Sequence, residues 1–287
     1  MLNDPAMQAG VLPLLVALAL AGFIRVIGGP ERGPRLIGVA VVASFLFSLT
    51  LSAGVPPLPP PSPAQHIFYL AILGAAAGFA LDMAERPVRP QETLRVVVPG
   101  LTLLWLAWGH LAAGVALAEL ATLAALWGGG TLVLVRLERA ETQAGGLSAA
   151  VMLVAAALGV AGIASLGASS AVALSAVALA AAAGGLALWG YGVWLVKKAS
   201  GPFGATTLFG GGAGLLGMAY VLALFSPQAS RVALVILLLV FFADTAAARI
   251  RLGGTLRSRI MGPILFATLA AIPALVAVGY AVMTSGG

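Results

Sequence analysis

Residues 147–165 read LSAAVMLVAAALGVAGIAS, a run of nineteen residues without a charged side chain. A helix that crosses the bilayer core needs about 20 mostly apolar residues, so this run predicts a transmembrane helix. Comparable runs recur along the chain, with predicted bounds 10–28, 35–54, 66–84, 95–112, 114–135, 147–165, 170–196, 206–225, 231–249 and 260–283. The sequence therefore predicts an all-α integral membrane protein, residues 1–287 forming one polytopic domain of about ten transmembrane helices.

The composition supports this fold class and excludes several functions. Hydrophobic residues make up 61% of the 287 residues and charged residues 8%, whereas a soluble domain has about 25% charged residues. Cysteine is absent, which excludes disulfides and cysteine metal sites. The net charge of +6 lies in short loops between apolar runs, so it indicates membrane topology rather than nucleic-acid binding.

The first apolar run, Val11–Ile27, has no basic region before it and no cleavage site of small residues after it. A secretory signal peptide has both features, so we expect this run to remain as the first helix. Farther along, residues 55–63 contain six prolines. Proline disrupts a helix interior, so an extended segment over the outer surface is expected there.

Basic residues occur in alternate loops, which predicts the orientation. The basic set comprises Arg32, Arg35, Arg86, Arg89, Arg95, Arg136, Arg139, Lys197, Lys198, Arg249, Arg251, Arg257 and Arg259. The intervening loops are nearly uncharged, with Arg231 as the exception. Because cytoplasmic loops of membrane proteins are enriched in Lys and Arg, we expect five basic cytoplasmic loops and both termini outside.

Two acidic residues lie near the cytoplasmic ends of predicted helices, Asp82 and Asp244. A charge at membrane depth is costly, so each is a functional candidate. Asp82 has an alternative as an interfacial residue paired with Arg86, one turn farther on. Asp244, five residues before Arg249, has an alternative as half of a structural ion pair.

Five segments carry a resemblance to a known family. Residues 33–38, GPRLIG, resemble a "PRxGG" motif, and residues 78–83, GFALDM, resemble "iGllDDl". Residues 146–148, GLS, match the end of "DGxDGLA", and residues 203–209, FGATTLF, resemble "FmGDtGSl". Asp244-Thr245 followed by Arg249 resembles "DT…rR". In this order the segments are similar to those of the polyprenyl-phosphate sugar-1-phosphate transferases (glycosyltransferase family 4), which include phospho-MurNAc-pentapeptide transferase.

The resemblance implies ten or eleven helices, an outside N-terminus and a bacterial cytoplasmic (inner) membrane location. It implies a magnesium-dependent transfer of a sugar phosphate from a nucleotide sugar to a polyprenyl phosphate on cytoplasmic loops. Asp82 is then the catalytic and magnesium-binding candidate, and Asp244 a second catalytic candidate. The substrate-binding candidates, basic groups for a lipid phosphate, are Arg35, Lys197, Lys198 and Arg249. Alternatively, these basic residues serve only to set the orientation of the helices in the membrane.

The chain also departs from the family. Leu81 stands in place of one aspartate, residues 141–149 lack the aspartates of the third motif, and Ala205 replaces an aspartate that binds magnesium. Magnesium prefers carboxylate and phosphate oxygens, so magnesium binding is in doubt and we expect a catalytically degenerate member. Its expected partners are the lipid bilayer, polyprenyl phosphate, and a second copy or a cell-envelope enzyme, with no nucleic acid.

Two alternatives remain open. The first is an active transferase in which Glu138 and Glu141 replace the missing ligands; otherwise they are loop charges paired with Arg136 and Arg139. The second is a ten-helix transporter of small solutes. A transporter needs polar residues near the middle of the membrane, whereas Asp82 and Asp244 lie toward the cytoplasmic face, which favours the transferase-like architecture.

Overall fold

A computed structural model describes residues 7–84, 89–112, 114, 116–167, 169–197, 203–249 and 256–285, which form helices and turns without a strand. The helices are α1 (Leu12–Ile27), α2 (Gly29–Leu36), α3 (Val39–Ala53), α4 (Pro63–Met83), α5 (Arg89–Ala112), α6 (Leu117–Ala144), α7 (Gly146–Leu166), α8 (Ser170–Lys197), α9 (Gly212–Phe225), α10 (Arg231–Leu237), α11 (Ala243–Arg249) and α12 (Leu256–Ser285). Two π-helical turns, Met7–Val11 and Thr207–Gly211, precede α1 and α9, and a 3-10 segment, Leu238–Phe242, joins α10 to α11.

Within the described ranges, eight helical stretches are long and apolar enough to cross a membrane. They are Met7–Ile27, Pro63–Met83, Leu117–Gln143, Gly146–Leu166, Ser170–Val196, Thr207–Phe225, Arg231–Arg249 and Gly262–Ser285. Large apolar side chains remain exposed on these helices, including Phe23 (61%) and Leu275 (70%). Such a surface is stable against lipid rather than water. The chain is an α-helical, multi-pass membrane protein.

The other two predicted spans are also helical. Span 35–54 corresponds to α3, whose fifteen residues are fewer than a perpendicular crossing requires. Span 95–112 lies within α5, which is 24 residues long and carries Glu92 near its start and Pro99 inside. A count of ten crossings and the orientation stay predictions.

The predicted end of one helix is wrong by nine residues. Helix α6 was expected to end at residue 135 but continues to Ala144, so the third basic loop is a helix end. Residues 136–144, RLERAETQA, contain no Gly or Pro, and helix formers of this kind favour continuation. Gly145, at φ +92°, turns the chain into α7. Helix α5 ends at Ala112, as the sequence predicts, so residues 109–112 of the expected turn are helical, and α6 begins at Leu117 rather than at 114.

Stretch Thr207–Phe225 is the centre of the bundle, since 83% of its apolar window is buried against 17% for Met7–Ile27. Glycines of α4 let the two backbones approach closely. A Cβ atom on Gly74 would lie 2.3 Å from the carbonyl oxygen of Phe209, and one on Gly78 would lie 2.2 Å from that of Ala205. This contact places Asp82, one turn after Gly78, beside the residues that lead into α9.

Candidate functional site

The turn at residues 203–206 is held by two carboxylates from different helices. The N–H groups of residues 203 and 204 both donate to Oε1 of Glu141, at 3.0 Å each. The N–H groups of residues 205 and 206 donate to Oδ1 and Oδ2 of Asp82, at 2.9 Å each. The Thr206 hydroxyl also donates to Oδ2 of Asp82, at 2.6 Å. We call Asp82, Glu141 and residues 203–206 the carboxylate clamp.

The clamp forms where a helix starts, because the first N–H groups of a helix need acceptors from outside it. The first N–H groups of a helix have no partner within the helix, and their dipoles favour negative charge. Phosphate groups often occupy such positions. In the clamp, carboxylates of Asp82 and Glu141 bind four consecutive N–H groups instead. The protein therefore supplies its own anions where a phosphate could otherwise bind.

Residues 35–38, at and after the end of α2, pack against residues 203–207. Thr207 donates through its hydroxyl to the carbonyl of Gly38 at 3.2 Å, and a Cβ on Gly38 would lie 2.7 Å from that hydroxyl oxygen. Gly204 has φ +79°, and a Cβ there would lie 3.2 Å from the Arg35 carbonyl and 3.5 Å from Oδ2 of Asp82. Residues 35–38, the end of α4 and the end of α6 thus meet at residues 203–207.

A second site joins α6 to α11, through Arg136 of α6, five residues before Glu141, and Asp244 of α11. Nη2 of Arg136 is 2.5 Å from Oδ1 of Asp244 and donates to the Thr245 hydroxyl at 2.7 Å. Nε of Arg136 donates to the Phe241 carbonyl at 2.9 Å, where the 3-10 segment passes into α11. Its guanidinium also lies 4.5 Å from the centre of the Phe242 ring. The side chains of Arg136 and Asp244 are only 11% and 10% exposed, so this is a buried ion pair.

The structure corrects the predicted pairing of Glu138 and Glu141 with Arg136 and Arg139. Glu138 pairs with Arg95 of α5, whose Nη2 donates to Oε1 at 2.7 Å. Glu141 belongs to the carboxylate clamp, and Arg136 pairs with Asp244. Asp244 forms an ion pair, the alternative to its predicted catalytic role, and its partner is Arg136 of another helix.

A magnesium ion does not fit the clamp as the chain presents it. Both oxygens of Asp82 already accept hydrogen bonds, and Ala205 contributes a methyl group where the resembled family has a ligand. Among the residues that the structure describes, no group of three or more His, Cys, Asp or Glu side chains is placed to hold a metal ion. Since magnesium needs several hard oxygen ligands, no catalytic step is assigned to a metal here.

The remaining predicted residues fall in different places. Arg35 contacts the clamp region through its backbone, and Arg249 is exposed at the end of α11. Lys197 is the last residue of α8, while the predictions for its side chain, for Lys198 and for Arg86 lie outside the described residues. Asp82 and Asp244 bind different partners, but α6 contributes one residue to each site. These residues, Glu141 in the clamp and Arg136 in the ion pair, are five positions apart, about 7 to 8 Å along the helix.

Neither a scan against protein-family models nor a search of curated proteins finds a match to this sequence. The geometry therefore carries the functional argument. Sequence reasoning missed the amide partners of Glu141 and the role of Arg136. These contacts join residues 62 and 108 positions apart, so local spacing does not indicate them. The only signal was the rule that a buried carboxylate requires a cation or hydrogen-bond donors.

Proposed function

We propose that the chain is a catalytically degenerate relative of the polyprenyl-phosphate sugar-phosphate transferases, which binds a lipid phosphate without transferring a sugar phosphate. The proposal rests on four segments that resemble family motifs and meet at the carboxylate clamp. Four segments that resemble family motifs lie far apart in sequence, at residues 33–38, 78–83, 141–149 and 203–209. Similar composition can produce the matches one by one, but it does not require them to pack around one turn.

The loss of transfer follows from charge. The transfer reaction brings a nucleotide-sugar pyrophosphate and a lipid phosphate together, and a cation must neutralise them. The clamp instead offers two carboxylates whose charges are already compensated by N–H groups. The four N–H groups of residues 203–206 are already bound by Asp82 and Glu141 and so do not bind an incoming pyrophosphate, and Ala205 adds no ligand for a cation.

Binding a lipid phosphate requires basic side chains near the membrane surface, but not the cation that catalysis needs. Basic side chains near the membrane surface attract anionic headgroups, each contributing about 1 kcal/mol. We assign this role to Arg35, Lys197, Lys198 and Arg249, which precede or follow apolar helices on the clamp side of the predicted topology. The proposed setting is the bacterial cytoplasmic membrane, with ten crossings and both termini outside. The proposed partner is a second copy or an enzyme of cell-envelope synthesis.

The test of catalysis is a release assay. Purified full-length protein, undecaprenyl phosphate and magnesium are incubated with a panel of uridine-diphosphate amino sugars, and uridine monophosphate is measured. We expect no release above a protein-free blank, while a known transferase assayed alongside is active. Release that disappears in Asp82→Asn, with the variant still monodisperse, would overturn the proposed degeneracy and make Asp82 a catalytic residue.

The test of binding uses undecaprenyl phosphate and its uncharged alcohol in detergent, measured by native mass spectrometry. We expect the phosphate to be retained several-fold better than the alcohol, and Arg249→Gln to reduce that preference. Arg139→Gln serves as the matched control, because Arg139 is also exposed but was not assigned to binding. Equal retention of phosphate and alcohol by the wild-type protein would contradict the lipid-phosphate role.

A further inference from the structure

An apolar cavity lies between α6, α7, α9 and α10, away from the carboxylate clamp. It encloses about 230 Å³, and its walls include Leu126, Val160, Leu216 and Leu237. Val235, which also lines it, is 65% exposed. The cavity therefore opens sideways between helices, toward the lipid that surrounds a membrane protein.

The cavity has the length of one bilayer leaflet. On α6 its walls run from Thr122 to Val133, and on the broken helix they run from Arg231 to Phe241. Eleven residues of helix span about 16 Å, close to half of a hydrocarbon core of about 30 Å. Both inner ends stop three residues before the Arg136–Asp244 pair, so the cavity occupies the half of the membrane opposite the clamp.

The interior of the cavity offers apolar contact only. The Tyr220 hydroxyl in its wall donates to the Leu126 carbonyl at 3.0 Å, and the Thr122 hydroxyl donates to the Ala118 carbonyl at 3.1 Å. Both groups are thus satisfied within the protein. Glycine creates the space, since a Cβ on Gly129 would meet only a Leu238 methyl group, at 3.9 Å.

Arg231 stands at the mouth of this cavity. Its side chain is exposed and makes no hydrogen bond or ion pair with any residue of the ranges that the structure describes. It is also the single basic residue in the otherwise uncharged set of loops. An arginine at headgroup depth binds phosphate oxygens through a planar, fork-like set of donors.

We propose that this cavity and Arg231 form a binding site for an anionic phospholipid of the leaflet opposite the clamp. A segment of one acyl chain fills the cavity, and the phosphate of the headgroup pairs with Arg231. The apolar walls and the length of one leaflet select an acyl chain, while the unpaired cation selects a net negative headgroup. This site is separate from the proposed lipid-phosphate site, which lies at the other membrane face.

Native mass spectrometry of the full-length protein tests the site. The protein is reconstituted in nanodiscs with equal amounts of phosphatidylglycerol and phosphatidylcholine of identical acyl chains, then released and scored for retained lipid. We expect the wild type to retain phosphatidylglycerol about fivefold better than phosphatidylcholine, the effect of one basic residue at a membrane surface. Arg231→Gln should abolish the preference, whereas Arg32→Gln, an exposed arginine on the other side, should keep it.

Filling the cavity separates chain binding from headgroup binding. Gly129→Leu should remove retention of both lipids, while Gly128→Leu, one residue away on an open and exposed face, should behave as the wild type. If Gly129→Leu fails to fold, Ala125→Phe on the same wall replaces it. Unchanged retention in the folded cavity variants, or an unchanged preference in Arg231→Gln, would overturn the proposal.

Discussion

The carboxylate clamp and the Arg136–Asp244 pair compensate the charge of acidic side chains in different ways. Helix α6 contributes to both sites, Glu141 to the clamp and Arg136 to the pair. In the clamp, Asp82 and Glu141 are compensated by backbone N–H groups of residues 203–206. In the pair, Asp244 is compensated by a guanidinium.

The difference decides what each site can tolerate. A carboxylate held by peptide dipoles depends on where the backbone lies, so the clamp requires glycines at positions 78 and 204. A carboxylate held by an arginine depends on that one side chain. Side-chain removal should therefore be most damaging at the pair, and added backbone bulk should affect the clamp alone.

The largest effect is expected from Arg136→Met. Breaking a buried ion pair from one side leaves Asp244 unpaired and costs about 3–5 kcal/mol of unfolding free energy. Arg136→Met combined with Asp244→Leu should recover most of this loss, since no buried charge then remains. Unfolding in mixed micelles measures both, with Arg139→Gln on the exposed face as the control. A double variant as unstable as the single one would contradict the assignment.

Asp82→Ala comes next, with an expected loss of about 2–4 kcal/mol. It leaves two N–H groups and the Thr206 hydroxyl without their acceptor, and each unsatisfied donor costs about 1–3 kcal/mol, less where water reaches it. Asp82→Asn should lie between Ala and the wild type, because its amide oxygen still accepts. The same micelle assay checks this, and an Asp82→Ala protein as stable as the wild type would show that the clamp does not hold the turn.

Gly78→Ala should cost about 1–3 kcal/mol, the usual range for overpacking. The new methyl group would meet the Ala205 carbonyl, so α4 and the turn must move apart. Gly192→Ala is the matched control, because nothing lies within 4 Å of its added Cβ. That variant should be neutral or up to about 1 kcal/mol more stable. Equal stabilities of the two variants would remove the argument from close backbone approach.

Gly204→Ala should have the smallest effect, about 1–2 kcal/mol, from the left-handed backbone that alanine adopts poorly. The variant should shift thermal unfolding downward without altering the Arg136–Asp244 pair. Combining it with Arg136→Met should therefore give additive losses. Strong non-additivity would show that α6 couples the two sites more tightly than their separate partners imply.

Sequence reasoning predicted the helices better than the contacts. Each of the ten apolar runs is helical, because hydrophobicity over about 20 residues is a local property. The pairing of charges was predicted from proximity in sequence, and this failed at Glu138 and Arg136. Asp82 bonds to residues 123 and 124 positions away, a contact that depends on how α4 packs against α9. The charges at residues 136–144 predict a loop, whereas α6 continues through them to Ala144 because they are good helix formers.

The central claim is that Asp82 binds backbone N–H groups instead of a catalytic cation. Titration of the purified protein with Mn²⁺, followed by electron paramagnetic resonance, tests it directly, because Mn²⁺ substitutes for Mg²⁺ at oxygen sites. We predict no stoichiometric binding that differs between the wild type and Asp82→Asn. One tightly bound Mn²⁺ per chain that is lost in Asp82→Asn, with the variant still folded, would contradict the account.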